Sequence, residues 1–212
     1  MTELKKETEI KILQAAEKVF TDKGMYGARM QEIADEAKIN KSLLHYYYRS
    51  KEKLFGAVFK SVFKKIAPQT IMILVDDIPL FEKIEKFSSS YIDIIMKYQS
   101  IPLFVIYELN KHPKNILNIM VDAVGLIEKD PVQCFKDSVN EEIEKGNIIE
   151  IDPRHLFVNI LSMCIFPIAG RTIIEKIGFY GDKEEYDKFL SERKAEVSKF
   201  IINSIKIREN GD

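Results

Sequence analysis

The chain has little cysteine, little histidine and no long apolar run, and each shortage argues against a class of protein. Its two cysteines, Cys134 and Cys164, form no CxxC motif and stand near no pair of histidines. A secreted disulfide framework is therefore not expected, and we predict two buried, reduced thiols. Because the three histidines lie far apart in sequence, we expect no metal site and no cofactor.

The sequence also has too few consecutive apolar residues for a membrane span. Residues 2–7 contain no apolar signal core, and the most apolar stretch, residues 156–170, is interrupted by Asn159 and Pro167. A membrane-spanning helix needs about 20 apolar residues. We therefore expect a soluble, cytoplasmic protein that does not enter a membrane.

Common catalytic and nucleotide-binding motifs are missing as well. The sequence contains no GxSxG, GxGxxG, P-loop or HExxH pattern. An enzyme, such as an all-α hydrolase, is therefore the weaker hypothesis, as is an all-α protein that binds only a small molecule or only another protein.

The charge is nearly balanced, with a small difference between the two ends of the chain. The 212 residues carry a net charge of −1, while residues 1–54 hold 11 Lys or Arg against 9 Asp or Glu. A slightly basic N-terminal segment suits nucleic acid, but the excess is too small to decide the function.

Helix signals dominate the sequence, so we predict an all-α fold of about nine helices. Gly24 is a helix stop, and Asp130-Pro131 and Asp152-Pro153 are helix starts, each with an Asp cap before a Pro at the first helical position. The organisation we predict is a helix-turn-helix domain over residues 1–50 and a helical effector-binding and dimerisation domain over residues 51–212.

The segment before residue 50 contains the geometry of a helix-turn-helix. A short helical stripe ends near Ala37, three residues follow, and Asn40 is positioned to cap the next helix. In that helix Leu44 and Tyr48 are four residues apart and can point inward. The side chains then available to a DNA major groove or its phosphates are Lys41, Ser42, Leu43, His45, Tyr46 and Tyr47.

Two flanking cations strengthen this interpretation. Lys51 follows Ser50 at the start of the fourth helix, where free backbone N–H groups favour a phosphate. Arg29 precedes the second helix, where a guanidinium can also reach a phosphate. Lys38 occupies the turn, and we expect it to need either a left-handed backbone or another turn type.

The pattern ILxAAxxVFxxxG from residue 12, followed from residue 33 by IAxxAxINKSxLxYYYxSKExL, resembles the N-terminal signature of TetR-type regulators. The resemblance covers roughly 45 residues. It implies a homodimeric repressor that binds a palindromic operator in double-stranded DNA and is released by a small-molecule effector. In such proteins the residues matching Tyr47 and Lys51 contact phosphates, and those matching Lys41, Ser42, Leu43 and His45 face bases. An activator is the alternative.

The remaining predictions concern the body of the protein. Two C-terminal helices, near residues 153–177 and 182–208, are expected to pair with their twofold copies, the first because it is apolar nearly all round. The predicted interface is Phe157, Ile160, Leu161, Ile165, Ile168, Phe189, Val197, Phe200 and Ile201. Burial within one subunit is the alternative. The predicted pocket, which suits a largely apolar but unidentified effector, is Phe63, Phe87, Tyr91, Phe104, Tyr107, Glu108, Met120 and Phe135.

Overall fold

The computed structural model describes residues 3–111, 113–114, 117–118, 121 and 129–207. Within these residues the all-α prediction is confirmed, with ten helices in place of the predicted nine or so. They are α1 (Glu3–Gly27), α2 (Met30–Glu36), α3 (Lys41–Tyr47), α4 (Lys51–Val75), α5 (Leu80–Lys97), α6 (Ser100–Lys111), α7 (Pro131–Glu144), α8 (Pro153–Ala169), α9 (Arg171–Gly178) and α10 (Lys183–Ile205).

Short-range chemistry sets several of these boundaries as the sequence predicts. Asn40 caps α3, since its Oδ1 accepts a hydrogen bond from the Leu43 N–H at 2.7 Å. Asp130 and Asp152 cap α7 and α8 through hydrogen bonds from backbone N–H groups of the first turn. The backbone leaves the helical conformation at Gly24 (φ 67°, ψ 172°), although a further turn continues to Gly27.

One predicted helix is wrong in its extent. The helix expected over residues 153–177 breaks at Gly170 into α8 and α9, which meet at an angle of 75°. A side chain at Gly170 would bring its Cβ to 3.1 Å from the carbonyl oxygen of Phe166, a tight contact that the backbone would have to relieve by a small shift. Of the helices that the structure describes, none taken alone is long and apolar enough to cross a membrane, although α8 and α9 together meet that length and composition.

The chain forms two compact units, each with its own core. The first contains residues 1–66 and 97–123, and the second contains residues 67–96 and 124–212. In the first, α1, α2, α3 and the beginning of α4 enclose a core with Ile12, Ile33 and Leu44 at its centre. In the second, α5, α7, α8 and α10 enclose a core that includes Ile84, Val139 and Tyr186.

The cysteine prediction holds for one thiol in full. Both cysteines are free; Cys164 is buried in the second core, whereas Cys134 is only half-buried. Burial raises the pKa of the Cys164 thiol to about 12, so it stays protonated at neutral pH.

Candidate nucleic-acid interface

The turn between α2 and α3 aims α3 outward. Lys38 adopts the left-handed backbone predicted as one of its two options, with φ 55°. Its N–H donates to the Asp35 carbonyl at 3.0 Å, and the next N–H, of Ile39, donates to the Ala34 carbonyl at 3.0 Å. The end of α2 is thus closed by its own backbone, and the chain turns directly into the Asn40 cap of α3.

Two side chains hold α3 against the rest of the unit. Leu44 is fully buried and Tyr48 is nearly so, which confirms their predicted inward orientation. The Tyr48 hydroxyl also donates to the Glu9 carboxylate of α1 at 3.1 Å. Desolvation, and then the charge of Glu9, raise the pKa of Tyr48 well above its usual value, so this hydroxyl remains a donor.

The opposite side of α3 is open to solvent. Ser42, His45 and Tyr46, spaced three and four residues apart, are all exposed, and Tyr46 retains 68% of its accessible surface. Lys41 is exposed at the start of the helix. Leu43 and Tyr47 are half-buried at the edge of this face, so the structure gives them less freedom than the sequence analysis assumed.

Lys51 lies at the start of α4, as its sequence context indicates, and its ammonium group also binds two backbone carbonyls. Its Nζ donates to the carbonyl oxygens of Ala28 at 3.1 Å and Tyr26 at 3.4 Å. An ammonium group has three N–H donors, so one remains for a phosphate. Lys51 therefore ties the end of α1 to the start of α4 whatever else it binds.

Arg29 is exposed at the start of α2, and the cap there does not use its side chain. The Glu32 carboxylate accepts a hydrogen bond from the Arg29 backbone N–H at 3.2 Å. The hydrogen bond from Lys23, and then that from the Arg29 backbone, lower the pKa of Glu32. The guanidinium is thus at the surface with no capping role.

Three exposed residues near this face were missed by the sequence analysis. Tyr26 (82% exposed) and Arg49 flank the predicted contacts, and their place next to Gly24 and α3 is a sequence signal that could have identified them. Lys5 is different, because its nearness to α3 follows only from tertiary packing. The Tyr47 hydroxyl donates to the Lys5 carbonyl at 3.4 Å.

The predicted effector residues fall in different parts of the molecule. Phe87, Tyr91 and Phe135 belong to the second unit, where Phe157 joins them: its ring centroid lies 5.8 Å from that of Phe87 and 5.4 Å from that of Phe135. Phe63 packs in the first unit. Tyr107 is 41% exposed. Met120 and the side chains of Phe104 and Glu108 lie outside the described residues.

A small apolar cavity does occur in the first unit, but none of the predicted pocket residues lines it. It has a volume of about 20 Å³, enough for one water molecule. Its walls include Phe20, Phe55, Phe59 and Tyr98. Among the described residues, no group of three or more His, Cys, Asp or Glu side chains could hold a metal ion.

The predicted dimer residues divide by exposure. Ile160, Ile168, Val197 and Ile201 lie in the core of their own chain, as the alternative of burial within one subunit describes. Phe157, Leu161, Ile165 and Phe189 are half-buried, while Phe200 is 63% exposed. Two exposed apolar residues of α8, Val158 and Phe166, are not among the predicted interface residues.

Comparisons with known proteins find related sequences for the segment that contains α2 and α3. Residues 12–58 match the family model described as "Bacterial regulatory proteins, tetR family". The HTH-type transcriptional repressor NicS of Pseudomonas putida is 44% identical over 52 residues, which are 24% of this chain and 24% of NicS. The HTH-type transcriptional regulator RutR of Escherichia coli K12 is 24% identical over 192 residues, or 85% of this chain and 87% of RutR.

Solved structures extend the likeness in fold to nearly the whole chain. A transcriptional regulator of the TetR/AcrR family from Thermobifida fusca superimposes with a TM-score of 0.63. The alignment covers 96% of this chain and all of that one, at 16% sequence identity. Identity at this level supports a shared fold.

Proposed function

We propose that this chain is a DNA-binding transcriptional regulator of the TetR family, and that it is a homodimeric repressor that binds a palindromic operator and is released by a small, largely apolar effector. The exposed face of α3 is the observation that supports the proposal of DNA binding. Ser42, His45 and Tyr46 point away from the core because Leu44 and Tyr48 anchor the other side. A single helix with that face fits a major groove about 12 Å wide.

Each exposed side chain on and around α3 has a suitable role in DNA recognition. Lys41 can donate to guanine acceptors or a phosphate, and His45 and Ser42 can hydrogen-bond with base edges. Tyr46 and Tyr47 offer hydroxyl groups near the backbone. Two cations can bind DNA phosphates. They are the Arg29 guanidinium and the Lys51 ammonium, which has one N–H group left to donate.

Dimerisation is proposed because one short recognition helix reads only a few base pairs. Two heads about 34 Å apart can read both halves of a palindrome. The exposed apolar side chains Val158, Phe166 and Phe200 on α8 and α10 support an interface there, together with the half-buried Leu161 and Phe189. Buried Ile160 and Val197 would then support this interface from beneath.

The effector site is proposed in the second unit, around the aromatic cluster of Phe87, Tyr91, Phe135 and Phe157. Rings at these separations form an apolar environment that suits an aromatic or aliphatic ligand. Helix α4 continues from the first unit, which carries α3, into the second unit. A ligand that prefers a conformer with differently spaced heads would weaken DNA binding by population shift.

Selection of bound duplexes from a randomised pool, followed by sequencing, tests this function. We expect a palindromic consensus, because two identical heads bind together. Lys41→Gln and His45→Ala should weaken binding, since both side chains are exposed and their loss leaves the core intact. Lys18→Gln is the control: it removes one charge from the same unit, at a lysine that is paired with Glu36. A non-palindromic product would contradict the two-headed arrangement.

A further inference from the structure

The start of α1 is fixed beside the end of α3 by two tyrosine hydroxyl groups. The Tyr47 hydroxyl donates to the Lys5 carbonyl at 3.4 Å. The next residue, Tyr48, donates to the carboxylate of Glu9, which lies one turn after Lys5 on α1, at 3.1 Å. These bonds join positions about forty residues apart in sequence. The first turns of α1 are therefore held against α3.

This packing brings a cation to the edge of the exposed face. The Nζ of Lys5 lies 6.0 Å from the centroid of the Tyr46 ring, and both side chains are exposed. A ring at this distance attracts a cation weakly and limits where it can go. Among the described residues, Lys5 makes no ion pair; the nearby carboxylates of Glu7 and Glu9 contact Lys11 and Tyr48.

A phosphate is the group this position suits. A helix that enters the major groove is flanked on both sides by the sugar–phosphate backbones, and side chains at its edge meet phosphate oxygens instead of bases. Lys5 lies at such an edge, next to Tyr46. Its side chain is long enough to approach the DNA backbone while α1 stays in place.

We infer that Lys5 is a further DNA contact, which binds a backbone phosphate beside Tyr46 and extends the interface from α3 onto α1. This inference rests on the proposed function, since it assumes that α3 enters a groove. The contact is independent of base sequence, so it contributes to affinity and salt dependence and leaves the consensus unchanged.

The test is the salt dependence of binding to labelled duplexes with a randomised centre, measured by fluorescence anisotropy across a series of KCl concentrations. Log affinity falls as log salt rises, and each lost phosphate contact makes this slope shallower by roughly 0.9. Because a dimer loses two contacts, Lys5→Gln should make the slope shallower by about 2. Lys5→Arg should keep the slope. Lys18→Gln, an equal loss of charge in the same unit, should leave it unchanged, and thermal unfolding checks that every variant is folded.

The outcomes separate the two proposals. If Lys41→Gln weakens binding while Lys5→Gln keeps the slope of the unmutated protein, the Lys5 contact is wrong and the proposed function stands. If Lys5→Gln lowers thermal stability but keeps the slope, the lysine serves only to pack α1 against Tyr46, and the inference is again wrong. If the unmutated protein shows no salt-dependent binding, both proposals fail.

Discussion

The face of α3 in the first unit and the faces of α8, α9 and α10 in the second unit are different kinds of surface. In the first, the side of α3 facing away from the core carries Ser42, His45 and Tyr46, and cations lie around it. In the second, α8, α9 and α10 expose large apolar side chains, among them Phe166, Ile173, Ile177 and Phe200. Polar side chains beside cations suit a hydrated polyanion, whereas exposed apolar groups suit another protein surface. The contrast is the one that the proposed function requires, with DNA at the α3 face and a partner subunit at α8 and α10.

A buried lysine of the second unit has a different role from the polar groups around α3. In the first unit, tyrosine hydroxyls and the Lys51 ammonium make hydrogen bonds that join helices around α3. In the second, Lys83 is buried, with its Nζ bonded to the Leu74 carbonyl at 2.9 Å and the Ser138 hydroxyl at 3.0 Å. Polar contacts in the first unit thus set a surface, whereas this one closes the end of a helix inside a core.

The largest expected effect comes from removing the apolar anchor of the exposed face. Leu44→Ala should lower the free energy of unfolding by about 2–5 kcal/mol, because it leaves a cavity under α3. Tyr46→Ala, on the exposed side of the same helix, should change it by less than about 0.5 kcal/mol. Urea denaturation followed by circular dichroism measures both. Equal losses would mean that α3 does not have one buried and one solvent-facing side.

The next prediction concerns the apolar surface of the second unit. Phe200→Glu should weaken dimerisation at least a hundredfold, or about 2.8 kcal/mol, because it would bury a charge in the proposed interface. Sedimentation equilibrium should then show monomers. Val132→Glu is the matched control, since Val132 is also exposed and apolar but lies on α7. If both variants remain dimers, the interface lies elsewhere.

The sequence predicted the first unit better than the second, and the reason is physical. Asn40, Leu44 and Lys38 act through neighbours in the chain, by capping, helical spacing and backbone conformation, so their roles are visible in sequence. In α8, apolar residues occur on nearly every side, and spacing alone cannot separate the core residue Ile160 from the exposed Phe166. The bend at Gly170 was missed for a related reason, since an apolar run hides the break.

Tertiary contacts were the second feature that the sequence could not predict. Nothing in the local sequence connects Lys5 with Tyr46, or Lys51 with the carbonyl of Ala28. Both relations depend on how α1 packs against α3 and α4. The exposed residues of α3 were therefore predicted from the sequence, whereas the nearby Lys5 side chain, contributed by α1, was not.

A smaller effect follows from two lysines with opposite pKa shifts. Burial lowers the pKa of Lys83 below its ordinary 10.5, whereas the hydrogen bond to Glu36 raises that of Lys18. As pH rises from the lowered pKa toward 10.5, folded Lys83 loses its proton first, so its contribution to stability improves. The contribution of Lys18 is present below 10.5 and is lost as pH rises through its raised pKa.

Comparison with methionine variants measures this difference between the units. Between mildly and strongly alkaline pH, the free energy of unfolding of the unmutated protein should rise relative to Lys83→Met and fall relative to Lys18→Met. Urea denaturation at several pH values measures both differences. If the difference from Lys83→Met does not change with pH, the Lys83 ammonium is not desolvated in the folded chain.

The smallest effect should be the same in both units. Lys38 (φ 55°) in the turn before α3 and Tyr180 (φ 51°) after α9 have left-handed backbones that disfavour a Cβ. Lys38→Gly and Tyr180→Gly should each stabilise the chain by roughly 0.5–1 kcal/mol, because glycine adopts this conformation without strain. Alanine at either position keeps the Cβ and should give no gain. Thermal unfolding distinguishes the glycine variants from the alanine variants. A loss of stability in Lys38→Gly alone would mean that the Lys38 side chain, not its backbone conformation, supports the turn before α3.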